Sequence, residues 1–366
     1  MRQLSQRCPS RHKTPLDSQR SIGRTKLDHE RQSRESTNFG IKKLIFTFSA
    51  NFRSVAILRL VRKVYTDRLF GKGLSEKIEG IFDPNNIRRK VSSKIVKTKV
   101  LMKTTTGCML ELHLDEHIDW KTFLNGDFDS RCLSEFLGIS KQSGTTWTLI
   151  DIGANIGTIS VPVGKSHRVI AFEPQSELAL RLSNNLELNS CLDSRVETLA
   201  LTSPDQLAVS DKGILFRPIG NSGATSFIPS WNPSLGEPER IDVSLTTLDI
   251  YYRKNLIFFS TENYFLKVDV EGGELNVLQG ASSFISKNRP FIFLEYRPDL
   301  MTIEMSKELL DYISNLSNYC IRDYSYERLE YRSPYFESKL IQHECRVGAG
   351  DLFIIPVEKK HLLFDN

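Results

Sequence analysis

Three short runs hold most of the side chains able to do chemistry. In the first, WTLIDIGANIGTISV from Trp147, an apolar stretch delivers a carboxylate, Asp151, into a turn made of Gly153, Ala154, Asn155 and Gly157. A strand that enters a glycine turn and opens a helix is where a doubly wound sheet binds a nucleotide-like cofactor. Glycines permit the tight turn and a close backbone approach. A dinucleotide site needs G-x-G-x-x-G, so that pyrophosphate meets a helix N-terminus. Here the spacing is G-A-N-I-G, with an acidic residue just ahead of it that repels phosphate and welcomes an amino group. That selects S-adenosylmethionine, which carries an α-ammonium group and no phosphate.

The second run, RVIAFEP over Arg168–Pro174, is a strand that ends in Glu173, 22 residues beyond Asp151. An acidic side chain at that place accepts both ribose hydroxyl protons. The bland alternative makes Glu173 an acid at the start of a helix from Gln175 to Leu188. The third run, LKVDVEGGE, sends a strand through Lys267 and Asp269 into Glu271, Gly272, Gly273 and Glu274. Glu274 falls in a first helical turn, where an acid complements the dipole.

Strands are needed to aim these groups. The sequence predicts them at Arg195–Leu201, Lys212–Arg217, Ile241–Asp249, Tyr264–Val270 and Pro290–Tyr296, in addition to the two already named. Ligands of an open α/β sheet bind beyond the carboxyl ends of its strands. Asp151, Glu173, Asp269, Glu271 and Glu295 all fall at such ends. Ahead of them, runs around Thr104–Gly107 alternate as a hairpin would. His113 and His117 stand four apart, but within the alternating run CMLELHLDEH that spacing does not assemble a zinc site.

IDIGANIG, AFEP, the run Asn221-Ser222-Gly223-Ala224-Thr225-Ser226, SLTTLD, LKVDVEGGELNVLQGA and PFIFLEY together resemble the FkbM family of S-adenosylmethionine-dependent methyltransferases, across about residues 129–300 and more loosely to 357. The resemblance implies an α/β class I methyltransferase fold, a Rossmann-like doubly wound seven-stranded sheet, here behind a basic helical and β-hairpin extension. It implies O-methylation of a hydroxyl on a sugar, glycan or other small natural-product acceptor. It carries cofactor contacts onto Asp151, Gly153, Asn155, Gly157 and Glu173, with Ala154 and Pro174 beside them. Two residues depart from the family pattern. Pro162 should shorten or kink the helix after the glycine turn, and Gly273 stands where the family often has alanine.

Methyl transfer is an in-line displacement, so the protein must mainly align the partners and exclude water. An alcohol needs its proton removed, and Asp269 or Glu271 is the expected base. Lys267 would keep that pair ionised or orient the acceptor, or instead pair with Glu295. No G-x-S-x-G elbow is present, and Asn232-Pro233 lacks the flanking residues of a nucleic-acid methyltransferase, which disfavours nucleic acid as acceptor. The rival from another class is a non-catalytic methyltransferase-like protein tethered to a membrane or glycan assembly. No constellation has metal-ligand spacing, although the carboxylate cluster leaves a metal open. Selectivity is expected in the loops 203–240 and 298–350, where Trp231, Tyr324, Tyr326 and Tyr331 are candidates to stack on a sugar or are ordinary packing residues.

Within the 366 residues the charge is uneven. Residues 1–103 hold 25 Lys and Arg against 8 Asp and Glu, a local +17 that leaves −12 on the rest. Residues 1–40 have too few large apolar groups to fold and read as a disordered basic tail. Residues 41–103 read as a basic amphipathic helical segment leading into a hairpin, suited to an anionic membrane surface or to packing on the neighbouring domain. Residues 104–145 read as the leading hairpin and a helix, and 146–357 as the methyltransferase domain. Leu44–Val61 is interrupted by Arg53 and Arg59 and falls short of a membrane span. Six dispersed cysteines without a C-x-x-C pair suggest reduced thiols and a cytoplasmic protein.

Overall fold

The computed structural model describes residues 99–128, 130–219, 221–228, 237–324, 331–332 and 350–363. The tail, the basic amphipathic segment, Trp231 and Tyr326 lie outside the described residues. The chain divides into two units, Met1–Leu58 and Arg59–Asn366, and every described residue belongs to the second.

A hairpin opens the described chain. Strands β1 (Lys99–Lys103) and β2 (Met109–His113) pair antiparallel around Thr104–Gly107. The alternation expected to continue through His117 ends at His113. A turn follows, and His117 starts helix α1 (His117–Asn125), so the two histidines stand on different elements. Helix α2 (Ser130–Ser143) comes next.

The main sheet follows. It is built from β3 (Thr148–Ile152), β4 (Arg168–Phe172), β5 (Ser194–Glu197), β9 (Tyr264–Val268), β10 (Phe291–Tyr296), β11 (Tyr319–Asp323) and β13 (Gly350–Pro356), with the two-residue β12 (Tyr331–Arg332) at its edge. The order is β12-β11-β13-β10-β9-β3-β4-β5. From β5 to β10 all neighbours are parallel, whereas β13 runs antiparallel to both β10 and β11. This is the doubly wound class I methyltransferase sheet that the resemblance implies, and its strand order reverses between β3 and β9.

Helix α3 (Ser160–Gly164) after the glycine turn has five residues, consistent with the shortening expected from Pro162. Helix α4 (Ser176–Leu188) joins β4 to β5. The expected strand Arg195–Leu201 is in fact two: β5 stays in the main sheet, while β6 (Ala200–Leu201) pairs with β8 (Glu239–Thr246) in a second, small sheet completed by β7 (Lys212–Arg217). The chain turns away at Leu199, which packs against the main core. Helix α5 (Pro204–Val209) links β6 to β7. The strand expected to reach Asp249 stops at Thr246, because the Thr247 hydroxyl accepts the Ile250 N–H and caps helix α6 (Leu248–Lys254).

Side chains alternate across the sheet, so its two faces differ. Ile150, Ile152, Leu266, Val268, Ile292 and Leu294 enter the large apolar core with α6, α7 (Glu274–Gly280), α8 (Ser282–Asn288) and α9 (Ile303–Ser314). The opposite face carries a row of register neighbours, Asp151, Lys267, Phe293 and Phe353. Phe136 of α2 meets Phe265 on that face edge to face at 5.4 Å. Among the described residues no helix is long and apolar enough to cross a membrane, and the four described cysteines, Cys108, Cys132, Cys191 and Cys320, are free and buried.

Candidate active site

The glycine turn is pinned from two sides. The Gly153 and Ala154 N–H groups both donate to the Phe172 carbonyl, at 3.0 and 3.1 Å. Gly153 has φ +79°, and a Cβ there would stand 1.8 Å from the Asp269 carbonyl oxygen. Only glycine lets the first and third motifs approach this closely.

Glu173 is buried beneath the turn. Its Oε2 accepts the Asn155 N–H and its Oε1 the Gln175 N–H, each at 2.9 Å. Burial pushes its pKa up to about 7 against the pull of these two N–H groups. One lone pair on each oxygen stays free for a further donor, which is the requirement for gripping two vicinal hydroxyls. The first-turn alternative does not describe it, since helix α4 begins three residues later, at Ser176.

A cavity lies beyond the strand ends. Gly153, Asn155, Glu173, Pro174, Asp269 and Glu271 line it among the residues expected from sequence. Gln175, Ser222, Thr225 and Ile118 line it too, and these were not anticipated as contacts. The Gln175 side chain donates to the Ser222 carbonyl at 3.1 Å, and the Ser222 N–H donates to the Glu116 carboxylate at 2.9 Å. Apolar walls come from Phe172, Leu199 and Leu215. A buried carboxylate, a close backbone approach and apolar walls in one cavity suit an adenosyl cofactor.

Asp151, Ala154, Gly157 and Lys267 stand behind this wall. Asp151 is buried, accepts the Ser160 hydroxyl at 2.6 Å and lies 3.4 Å from the Lys267 ammonium. The lysine also donates to the Gly153 carbonyl at 3.2 Å and to Asp269 at 3.1 Å. Lys267 therefore ties the glycine turn to the third motif, a link that follows from Asp151 and Lys267 being neighbours across the sheet. Gly157 has φ +89°, and its bare Cα faces Leu182.

Of the remaining carboxylates, Asp269 and Glu271 line the same cavity and Glu295 stands beside them. Burial opposes a charge on Asp269, but Lys267, a hydrogen bond from Glu295 and the nearby Arg297 hold its pKa below the usual range. Burial and the charges of Asp269 and Glu271 push Glu295 strongly upward, so Glu295 keeps the proton and donates it to Asp269. Glu271 pairs with Arg297 at 3.0 Å. Asp269, Glu271 and Glu295 offer oxygens within 4.8 Å of one another, with Lys267 and Arg297 as the cations among them. Glu274 is structural: fully buried, it accepts the Val270 and Gly272 N–H groups and shapes the turn. Tyr324 is occupied in packing, its ring near Phe293 and beneath Arg131.

Residues 151–327 match the methyltransferase FkbM domain. Among solved structures, methyltransferase FkbM from Methylobacillus flagellatus KT is 13 % identical, covering 77 % of this chain and 60 % of that one with a TM-score of 0.34. Precorrin-6y C5,15-methyltransferase from Geobacter metallireducens is 11 % identical, covering 60 % and 84 %, TM-score 0.29. The plantazolicin methyltransferase BpumL in complex with SAH is 9 % identical, covering 82 % and 95 %, TM-score 0.31. No curated protein matches the chain. Residues 151–327 are an FkbM methyltransferase domain, and the protein is an S-adenosylmethionine-dependent methyltransferase.

Proposed function

We propose that this methyltransferase methylates a hydroxyl of a sugar, glycan or other small natural-product acceptor, with Asp269 removing the proton. The observation that carries this reading is the placement of two carboxylates of opposite character in one cavity. Glu173, whose carboxyl burial raises, and Asp269, whose carboxyl Lys267 holds down, both line that cavity. S-adenosylmethionine supplies a methyl group already activated by its sulfonium, so no covalent intermediate with the protein is needed.

The chain's own work is then positioning and proton removal. Gly153, held by Lys267 and the Phe172 carbonyl, fixes the backbone against which the cofactor lies. Asp269 stays ionised through neutral pH because Lys267 stands 3.1 Å away, and an ionised carboxylate has the lone pair that a departing hydroxyl proton needs. Glu271, paired in the same way with Arg297 at 3.0 Å, is the second candidate for the task.

Transfer of labelled methyl from S-adenosylmethionine to a panel of hydroxylated sugars and glycans tests the reading. Asp269→Asn should lower kcat by roughly 10²–10⁴ with S-adenosylhomocysteine affinity retained, and Glu271→Gln should have the smaller effect. If both variants turn over within a few-fold of wild type at saturating cofactor, neither carboxylate is the base.

A further inference from the structure

A second cavity lies behind the wall that carries Asp269, on the sheet face that α2 helps to cover. Its lining includes Phe128, Lys267, Asp269, Phe293, Glu295 and Asp351. Register explains the grouping: Phe293 sits beside Lys267, and Glu295 faces Asp351 across the antiparallel β10–β13 pair. Among the described residues Asp269 is the one that lines both this cavity and the cofactor cavity.

That shared wall has a mechanistic meaning. In an in-line displacement the nucleophile and the methyl donor approach one point from opposite sides. A base for the nucleophile must reach the same point. A residue common to both cavities meets that requirement, and the cavity on its far side is then where the acceptor belongs.

The lining also restricts what the acceptor can be. Phe128 and Phe293 supply apolar surface. The charges beside them are already balanced within the protein, Asp351 by Arg131 at 3.1 Å and Asp269 by Lys267 at 3.1 Å. A cationic ring would have to break these pairs. A neutral ring bearing hydroxyls needs only lone pairs to donate to, and the Asp351 carboxylate and the Glu295 oxygen that does not carry the proton offer them.

We infer that this second cavity is the acceptor subsite and takes a neutral, hydroxyl-bearing ring such as a pyranose, seated against Phe128 and Phe293 with its hydroxyls donating to Glu295 and Asp351. The inference rests on the methyltransferase reading above. It concerns a surface separate from the one that binds the cofactor.

Saturation-transfer NMR on the full chain loaded with S-adenosylhomocysteine tests it, with methyl α-D-glucopyranoside and methyl α-L-rhamnopyranoside as probes and cyclohexylammonium as the cationic control. At least one glycoside should receive saturation at its ring protons. Phe128→Ala and Asp351→Asn, each half-buried in the wild type, should cut that signal at least fivefold while S-adenosylhomocysteine affinity, measured by calorimetry, stays within threefold. Retained cofactor affinity shows that each variant is folded. Glycoside signals that survive both variants, no glycoside signal in cofactor-loaded wild type, or saturation of cyclohexylammonium alone would each overturn the inference. Failure of the wild type to bind S-adenosylhomocysteine is a different result: it removes the proposed function, and the acceptor subsite with it.

Discussion

Glu173→Gln separates cofactor recognition from folding, because the proposed function gives this side chain a second job beside the one the structure shows. Its oxygens accept the Asn155 and Gln175 N–H groups, and their remaining lone pairs are positioned to accept ribose hydroxyls. The amide can accept one N–H but turns its own NH2 toward the other, at a cost of about 1–3 kcal/mol. Against this stands relief from burying a charge. Burial raises the Glu173 pKa from 4.5 to about 7, which at pH 8 corresponds to about 3 kcal/mol held against folding. The sign follows from linkage: a carboxyl raised on folding contributes most below its unfolded value and loses that contribution as pH rises through the folded one. The two effects nearly cancel at pH 8, so the melting temperature of the variant should lie within a few degrees of wild type. Binding should not be spared. Two hydrogen bonds to a charged acceptor, each about 1.5–3 kcal/mol, become one to a neutral acceptor of about 0.5–1.5 kcal/mol. The loss, about 2.5–4.5 kcal/mol, weakens S-adenosylhomocysteine binding roughly 10²–10³-fold. Calorimetric titration at pH 8 reads this directly. A folded variant that binds within threefold of wild type would refute the ribose role of Glu173.

The same carboxyl predicts a pH profile: S-adenosylhomocysteine affinity of the wild type should rise as pH increases through about 7, by at most about tenfold per pH unit below it, and level off above. Calorimetry between pH 5.5 and 8.5 checks this, and Glu173→Gln should abolish the slope. The two glycines that flank Asp269 should respond oppositely to alanine. Gly153→Ala places a Cβ 1.8 Å from the Asp269 carbonyl at a positive φ and should cost about 3–5 kcal/mol. Gly273→Ala meets only a Val270 methyl at 3.3 Å with no positive φ and should stay within about 1 kcal/mol, and thermal melts distinguish the two.

What could be read from sequence was whatever depends on neighbours along the chain. The glycine turn, the carboxylates at strand ends, the short helix around Pro162 and the N-terminal hairpin all follow from local pattern. What depends on pairing between distant strands was not legible. Lys267 was weighed as a partner of Glu295 or of the catalytic carboxylates, yet its place between Asp151 and Asp269 is set by the β3–β9 register. That register also turns Asp151 inward onto Ser160, away from the cavity that its motif suggested it would line. Arg297 went unremarked because nothing near it in sequence marks an arginine beyond a strand as the partner of Glu271. The strand drawn through Leu201 failed at Leu199 because apolar residues there serve two different sheets, and apolar pattern alone does not say which.

The cofactor cavity is also incomplete within the matched domain. Residues 151–327 supply its floor and most of its walls, but Ile118 of α1 lines it as well, and the side chain of Glu116 just before that helix holds the Ser222 N–H. The contact is close, since a Cβ at Gly223 would come within 2.3 Å of the Ile118 terminal methyl and would have to push that side chain aside. Helix α1 is itself anchored to the domain: Asp119, buried, pairs with Arg181 of α4 and accepts the His113 N–H. A buried ion pair adds little net stability, but separating its members is costly, so α1 is held in one position over the cavity. Hairpin and helix thus act with the methyltransferase sheet as one working unit, and the physical boundary of that unit falls ahead of Asp151, at or before β1.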